Sequence, residues 1–251
     1  MPEPVILLVL MAAAFAGAFV QAAVGFGFAL IAAPIFLTAM KSGSAMQVLV
    51  AIHVVQSAML VPGLWRSAPA KLLHPMLLGS LAGFPLGLAV FVALDLDALK
   101  LAVGMVMLVF TALLVARDRS WLSQMFASSG PPNRAAAAGV GASAGALTSV
   151  LVMPGPPLIL YVAARRIGKE ESRALSLTFF AFCYVAVTLL HATWTGMSFE
   201  TWVLAAALSP VVVIGTLLGD RLARWLSEAW FRTAVLAVSF LSGAWAVWSS
   251  F

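Results

Sequence analysis

Ten residues carry the chemistry this chain offers: Gln21, Gly25, Gly27, His53, Gln56, Ser149, Gly155, Pro156, Thr178 and Tyr184. Six of them are hydrogen-bonding side chains inside long apolar stretches. Polar groups are costly there, so each marks either a site or a tie between helices. Gln21, His53, Gln56, Ser149, Thr178 and Tyr184 could together donate hydrogen bonds to a small oxyanion. His53 and Gln56 are three apart, so a helix puts them on one face. The glycines and prolines act on the backbone. "QAAVGFG", Gln21 to Gly27, and "TSVLVMPGPP", Thr148 to Pro157, each interrupt an apolar run. Proline lacks an N–H and clashes with the preceding turn, so Pro154, Pro156 and Pro157 should stop one half-helix and start another. A helix starting inside the membrane presents free N–H groups and the positive end of its dipole, which suits an anion. The plainer competing readings are interhelical hydrogen bonds for the side chains and close helix packing for the glycines.

Other chemistries find less support. "GASAG", Gly141 to Gly145, matches the G-x-S-x-G nucleophile pattern. That pattern needs a strand–turn–helix, whereas this one lies in an alanine-rich helical run. A hydrolase would pair Ser143 with a histidine such as His191, but small residues spaced for helix contact explain the stretch better. Transport rather than catalysis is expected. Cys183 is the single cysteine and lacks the partners of a metal or redox motif, so no cofactor or metal is expected. Asp95, Asp97, Glu200, Asp220 and Glu228 all fall near expected helix ends. A coupling proton would therefore ride on His53, on His191 or on the substrate itself. His191 lies near Trp194 at a helix end and is expected to be an interfacial anchor. Lys41 and Lys169 stand just before helices and read as loop charge.

These residues are positioned by membrane helices. The chain has 251 residues, is 63% hydrophobic and 9% charged, and its mean hydropathy is +1.07. Apolar runs of helical length recur throughout, which indicates an all-α polytopic membrane protein with the lipid bilayer as its partner. The net charge of +5 reflects basic cytoplasmic loops rather than nucleic-acid binding. Residues 1–23 resemble a signal peptide but have an acidic start, and are expected to remain. Seven tryptophans, Trp65 and Trp194 among them, fall near helix ends, as interfacial belts do.

A shift of 128 residues partly superposes the chain on itself. Gly17, Gly27, Lys41, Ser44 and Gly87 fall on Gly145, Gly155, Lys169, Ser172 and Gly215. The expected division is a first repeat at 1–116, a polar linker at 117–134 and a second repeat at 135–251. Each repeat opens with an interrupted run, about 5–39 and 135–163. Three spanning helices follow in each: about 45–62, 76–94 and 99–116, then 174–193, 201–218 and 230–249. If the interrupted runs crossed once, Lys and Arg would divide nine to five. As re-entrant or broken hairpins they give twelve to two, which the positive-inside rule prefers. Each half then has three crossings, the halves are inverted, and both termini lie outside the cytoplasm. Two breaks at matching positions of inverted halves point to a midplane site.

The segments "GAFVQAAVGFGFALIAAP" and "GALTSVLVMPGPPLILY", with the repeat and the overall length, resemble the sulfite exporter TauE/SafE family of bacterial membrane proteins. The family's glycine cluster is usually fuller than Gly25 and Gly27 in one half and Gly155 in the other. The resemblance implies secondary transport of sulfite, an organosulfonate or a related small anion across the inner membrane, often outward. A passive anion channel is the alternative. A monomer or homodimer is expected.

Overall fold

The computed structural model describes residues 2–116, 133–165 and 167–222, with Phe240, Ala244 and Trp248. Residues 117–132 of the expected linker, and most of the expected last helix, lie outside the described residues. Every regular element among the described residues is helical. Six helices are long and apolar enough to cross a membrane.

The first interrupted run forms α1, Pro4–Val24, and α2, Phe28–Met40. At 1.5 Å per residue, the 21 residues of α1 cross a bilayer core. The 13 residues of α2 extend only about 20 Å. The run is thus one full helix and one partial helix, which explains a length too great for one span and too short for two. The join needs little chain because Gly25 and Gly27 adopt φ values of 100° and 115°. A Cβ there would crowd the backbone, so glycine is required.

The second run forms α6, Arg134–Leu151, and the 10-residue α7, Gly155–Ala164. The remaining helices are α3, Ser44–Leu60; α4, Ala70–Ala93; α5, Leu96–Ala116; α8, Lys169–Leu190; and α9, Phe199–Leu222. Asn133 caps α6 by accepting from the N–H of Ala135 at 2.9 Å. α4 and α8 start about one turn or more earlier than hydropathy suggests. Lysines at a helix start reach water with their long stems, and Glu170 and Glu171 favour the start of α8. Beyond Leu190, α8 runs into a π-helical turn, His191–Gly196.

Two pairs of helices pack backbone to backbone. A Cβ on Gly215 of α9 would lie 2.7 Å from the Phe15 carbonyl oxygen and 3.2 Å from Ala18 Cβ in α1. Cβ atoms on Gly79, Gly83 and Gly87 of α4 would strike the carbonyls of Ala138, Ala142 and Ala146 in α6. Lipid is as apolar as leucine, so membrane helices gain by such close packing rather than by apolar burial alone. The Gly87–Ala146 contact becomes Gly215–Ala18 when the halves are exchanged at the 128-residue offset. "GASAG" belongs to this seam. Gly141 meets Met76 and Gly145 meets Ser80, while Ser143 faces outward and bonds the Val140 carbonyl at 3.0 Å.

α1 and α9 both start at a crevice of about 620 Å³ lined by Ile6, Met40, Ser44, Glu200 and Thr201 among others. Both end beside Arg173, which bonds Ala22 and Asp220. α3 runs from the crevice at Ser44 to Leu60, which packs on Ala22 and Leu177 near Arg173. α4 therefore departs from the Arg173 end, and α6 runs beside it in the same direction. Seven of the nine described Lys and Arg residues gather at the Arg173 end, leaving Lys41 and Lys100 at the crevice end.

Candidate functional site

Both helix breaks open on one cavity. Its wall takes Gln21 from α1, Gly27, Ala29 and Leu30 from the first break and α2, Val152 to Pro156 from the second break, and Phe180 and Tyr184 from α8, with Phe26. The volume is about 20 Å³, room for roughly one water. From this point α2 runs towards the crevice and α7 towards the Arg173 end. Those lengths are about 20 and 15 Å, so the cavity is well inside the protein. Both half-helices aim their positive ends at it.

The two helix starts are unequal. In α2 the N–H groups of Phe28, Ala29 and Leu30 precede the first i−4 partner of their own helix and are free to donate. In α7 the residues Pro154, Pro156 and Pro157 have no N–H, so Gly155 alone donates from the first turn. Backbone donors are thus present at three residues of α2 and at one of α7. The second break also turns without glycine. Val152 adopts φ 58°, ψ 29°, a left-handed conformation uncommon for a β-branched residue and a mark of local strain.

Five of the ten expected residues line the cavity: Gln21, Gly27, Gly155, Pro156 and Tyr184. Gln21 is 2% and Tyr184 1% exposed, and their side chains meet there. A Cβ on Gly155 would make ordinary van der Waals contact, 3.8 Å from Phe180 Cζ and from Phe26 Cβ. Gly25 lies just off the wall, where a Cβ would come 3.2 Å from Arg173 Cγ. His53 stands behind the wall. Its Nδ1 donates to the Leu49 carbonyl at 2.6 Å, and its ring sits between Phe28 at 4.1 Å and Tyr184 at 4.3 Å. Its buried Nε2 has no hydrogen-bond partner among the described residues.

The other three residues are held elsewhere. Gln56 donates to the Ala18 carbonyl at 2.8 Å and to Thr216 Oγ1 at 3.3 Å, tying α3 to α1 and α9. Ser149 is buried in the α4–α6 seam and its hydroxyl has no partner among the described residues. The Thr178 hydroxyl is also buried without a partner among the described residues.

His191 departs from expectation. It is 1% exposed rather than interfacial; its ring packs on Phe91 at 4.6 Å and its Nε2 bonds the Ser149 carbonyl at 3.0 Å. The break explains this. The Met153 N–H turns back to Leu147 instead of Ser149, so the Ser149 carbonyl needs another donor. Trp194, 79% exposed, occupies the outer position instead.

Arg173 is the residue that sequence reasoning missed, since there it entered only the count of Lys and Arg on the two sides of the membrane. Its Nε and Nη2 donate to the Ala22 carbonyl at 3.2 and 2.7 Å. Nη2 also bonds Asp220 Oδ1 at 2.6 Å. The available signal was the break itself, because the last carbonyls of a broken helix need donors and arginine supplies several.

The family model described as sulfite exporter TauE/SafE matches residues 9–246. No curated protein and no solved structure gives a significant match.

Proposed function

This chain belongs to the sulfite exporter TauE/SafE family and is a multi-pass membrane transporter, and from that premise we propose that it carries sulfite or an organosulfonate across the bacterial inner membrane. The observation behind this reading is the meeting of two broken-helix N-termini at one buried cavity. Discontinuous helices of this kind hold anionic groups in secondary transporters. The oxyanion would accept from the N–H groups of Phe28, Ala29 and Leu30 and from that of Gly155, while Gln21 and Tyr184 orient it.

A cavity of about 20 Å³ is too small for a four-atom oxyanion. The cavity must therefore widen to take cargo. We propose alternating access between two inverted repeats, residues 1–116 and 135–251. The reciprocal α1–α9 and α4–α6 seams, and their opposite directions, support this arrangement. The positive-inside rule makes the Arg173 end cytoplasmic and both termini periplasmic. A coupling proton would travel on the cargo or on His53, whose Nε2 is unpartnered among the described residues.

The test is thermal stabilisation of purified protein by sulfite, methanesulfonate, thiosulfate, acetate and chloride, with Gly155→Ala alongside. Selective stabilisation by a sulfur oxyanion, lost in the variant, is expected. Stabilisation by acetate alone would end the sulfur reading and leave a transporter of other cargo.

A further inference from the structure

We propose that Arg173 is a latch that holds the cavity shut towards the basic end, and that it opens by exchanging the Asp220 carboxylate for the anionic cargo; the exchange rests on the transport reading above. Arg173 lies against Gly25, about one turn of α1 from Gln21 on the cavity wall. One guanidinium ties three helices, bonding Ala22 of α1 and Asp220 of α9 from its own place in α8. Beside it, Ala22, Leu60 and Leu177 form a small apolar cluster, joined to the main core through Leu64. Leu177 is one helical turn beyond Arg173, so both project from the same face of α8. In this proposal the cluster and the ion pair next to it form the barrier between the cavity and the basic end. The crevice of about 620 Å³ at the far end shares no lining residue with the cavity.

The exposures show which partner can leave. The Arg173 side chain is 17% exposed and that of Asp220 is 52% exposed. Water already reaches the carboxylate, whereas the guanidinium is nearly enclosed. A partly exposed ion pair is cheap to separate. The fork of N–H donors that holds a carboxylate also fits a sulfonate or sulfite through two oxygens. An anion arriving from the basic side could therefore take the place of Asp220, free α9 from α8, and leave Arg173 to conduct it past Gly25.

The test uses full-length protein in proteoliposomes. Cys183→Ser removes the single cysteine and Ala29→Cys puts a thiol on the cavity wall. A membrane-impermeant maleimide is applied to the Arg173 face. Methanesulfonate serves as the anion, because sulfite consumes maleimides. Slow labelling is expected in this parent, with several-fold acceleration by methanesulfonate. Asp220→Ala should label about fivefold faster without anion, the shift a partly exposed ion pair can hold. Arg173→Gln should label fast and ignore the anion, while Arg173→Lys, which keeps the charge but not the fork, should fall between. Parental labelling in a folded Asp220→Ala protein, or anion acceleration surviving in Arg173→Gln, would overturn the proposal. Methanesulfonate flux in the same vesicles separates the two readings. Flux with no labelling effect of Asp220→Ala removes the latch alone. Faster labelling in Asp220→Ala without flux keeps the latch and removes the sulfonate cargo.

Discussion

Replacing Gly155 by alanine adds one methyl group to the cavity wall, where nothing obstructs it. The new Cβ would lie 3.8 Å from Phe180 Cζ and from Phe26 Cβ, ordinary contact distances. Gly155 is not among the left-handed residues, so the backbone accepts a side chain. Alanine in a helix is favoured over glycine by about 0.5–1 kcal/mol, and less in the first turn. Stability should hold or rise slightly. The cavity, however, has room for roughly one water, and the methyl would stand beside the one N–H that α7 contributes. Crowding of a packed site by a methylene costs about 1–3 kcal/mol, which weakens cargo binding roughly ten- to hundredfold. Gly27→Ala provides the contrast. Its φ of 115° is a conformation L-residues rarely adopt, and the Cβ would lie 3.0 Å from Val20 Cγ1. That variant should lose about 1–2 kcal/mol of stability. Thermal unfolding in detergent and sulfonate flux in proteoliposomes, measured on both, make the comparison. Parental flux in a stable Gly155→Ala protein would show that the space between the two breaks is not where cargo sits.

The helix seams give a second test. Gly83→Ala drives a Cβ into the Ala142 carbonyl, and a sharp fall in folded yield is expected from overpacking. Gly139→Ala on α6, with open space at its Cβ, should be neutral or slightly stabilising in the same yield and melting measurements. Gln56→Leu should lower stability by about 0.6–2 kcal/mol through lost interhelical hydrogen bonds, with anion affinity unchanged in titrations. Tyr184→Phe should do the reverse, weakening anion stabilisation while melting near the parent. Ser143→Ala should alter neither flux nor stability, since that hydroxyl only returns to the Val140 carbonyl of its own helix. Loss of function there, with the fold intact, would reopen a catalytic reading.

The breaks were legible from the chain because glycine and proline act within a single turn. Gly25 and Gly27 provide left-handed φ values, and Pro154 and Pro156 remove helical donors, whatever surrounds them. The α4–α6 seam was legible too, since the small residues of "GASAG" leave room for another backbone at helical spacing. Helix starts were less so, because Lys71 or Glu170 in a first turn looks the same as loop charge.

The roles of the polar residues could not be read in this way. His53 and Gln56 share one face of α3, yet His53 stacks on the cavity's Tyr184 while Gln56 is spent on Ala18 and Thr216. Residue type and spacing say that such groups need partners. They do not say which neighbour arrives, because that depends on how each helix is rotated against the others. His191 was drawn inward by a carbonyl freed in a distant helix, and Arg173 was recruited from 151 residues away to the end of α1. Local backbone chemistry settles where a helix must stop; only the packed bundle brings together the donors and acceptors that those stops leave without partners.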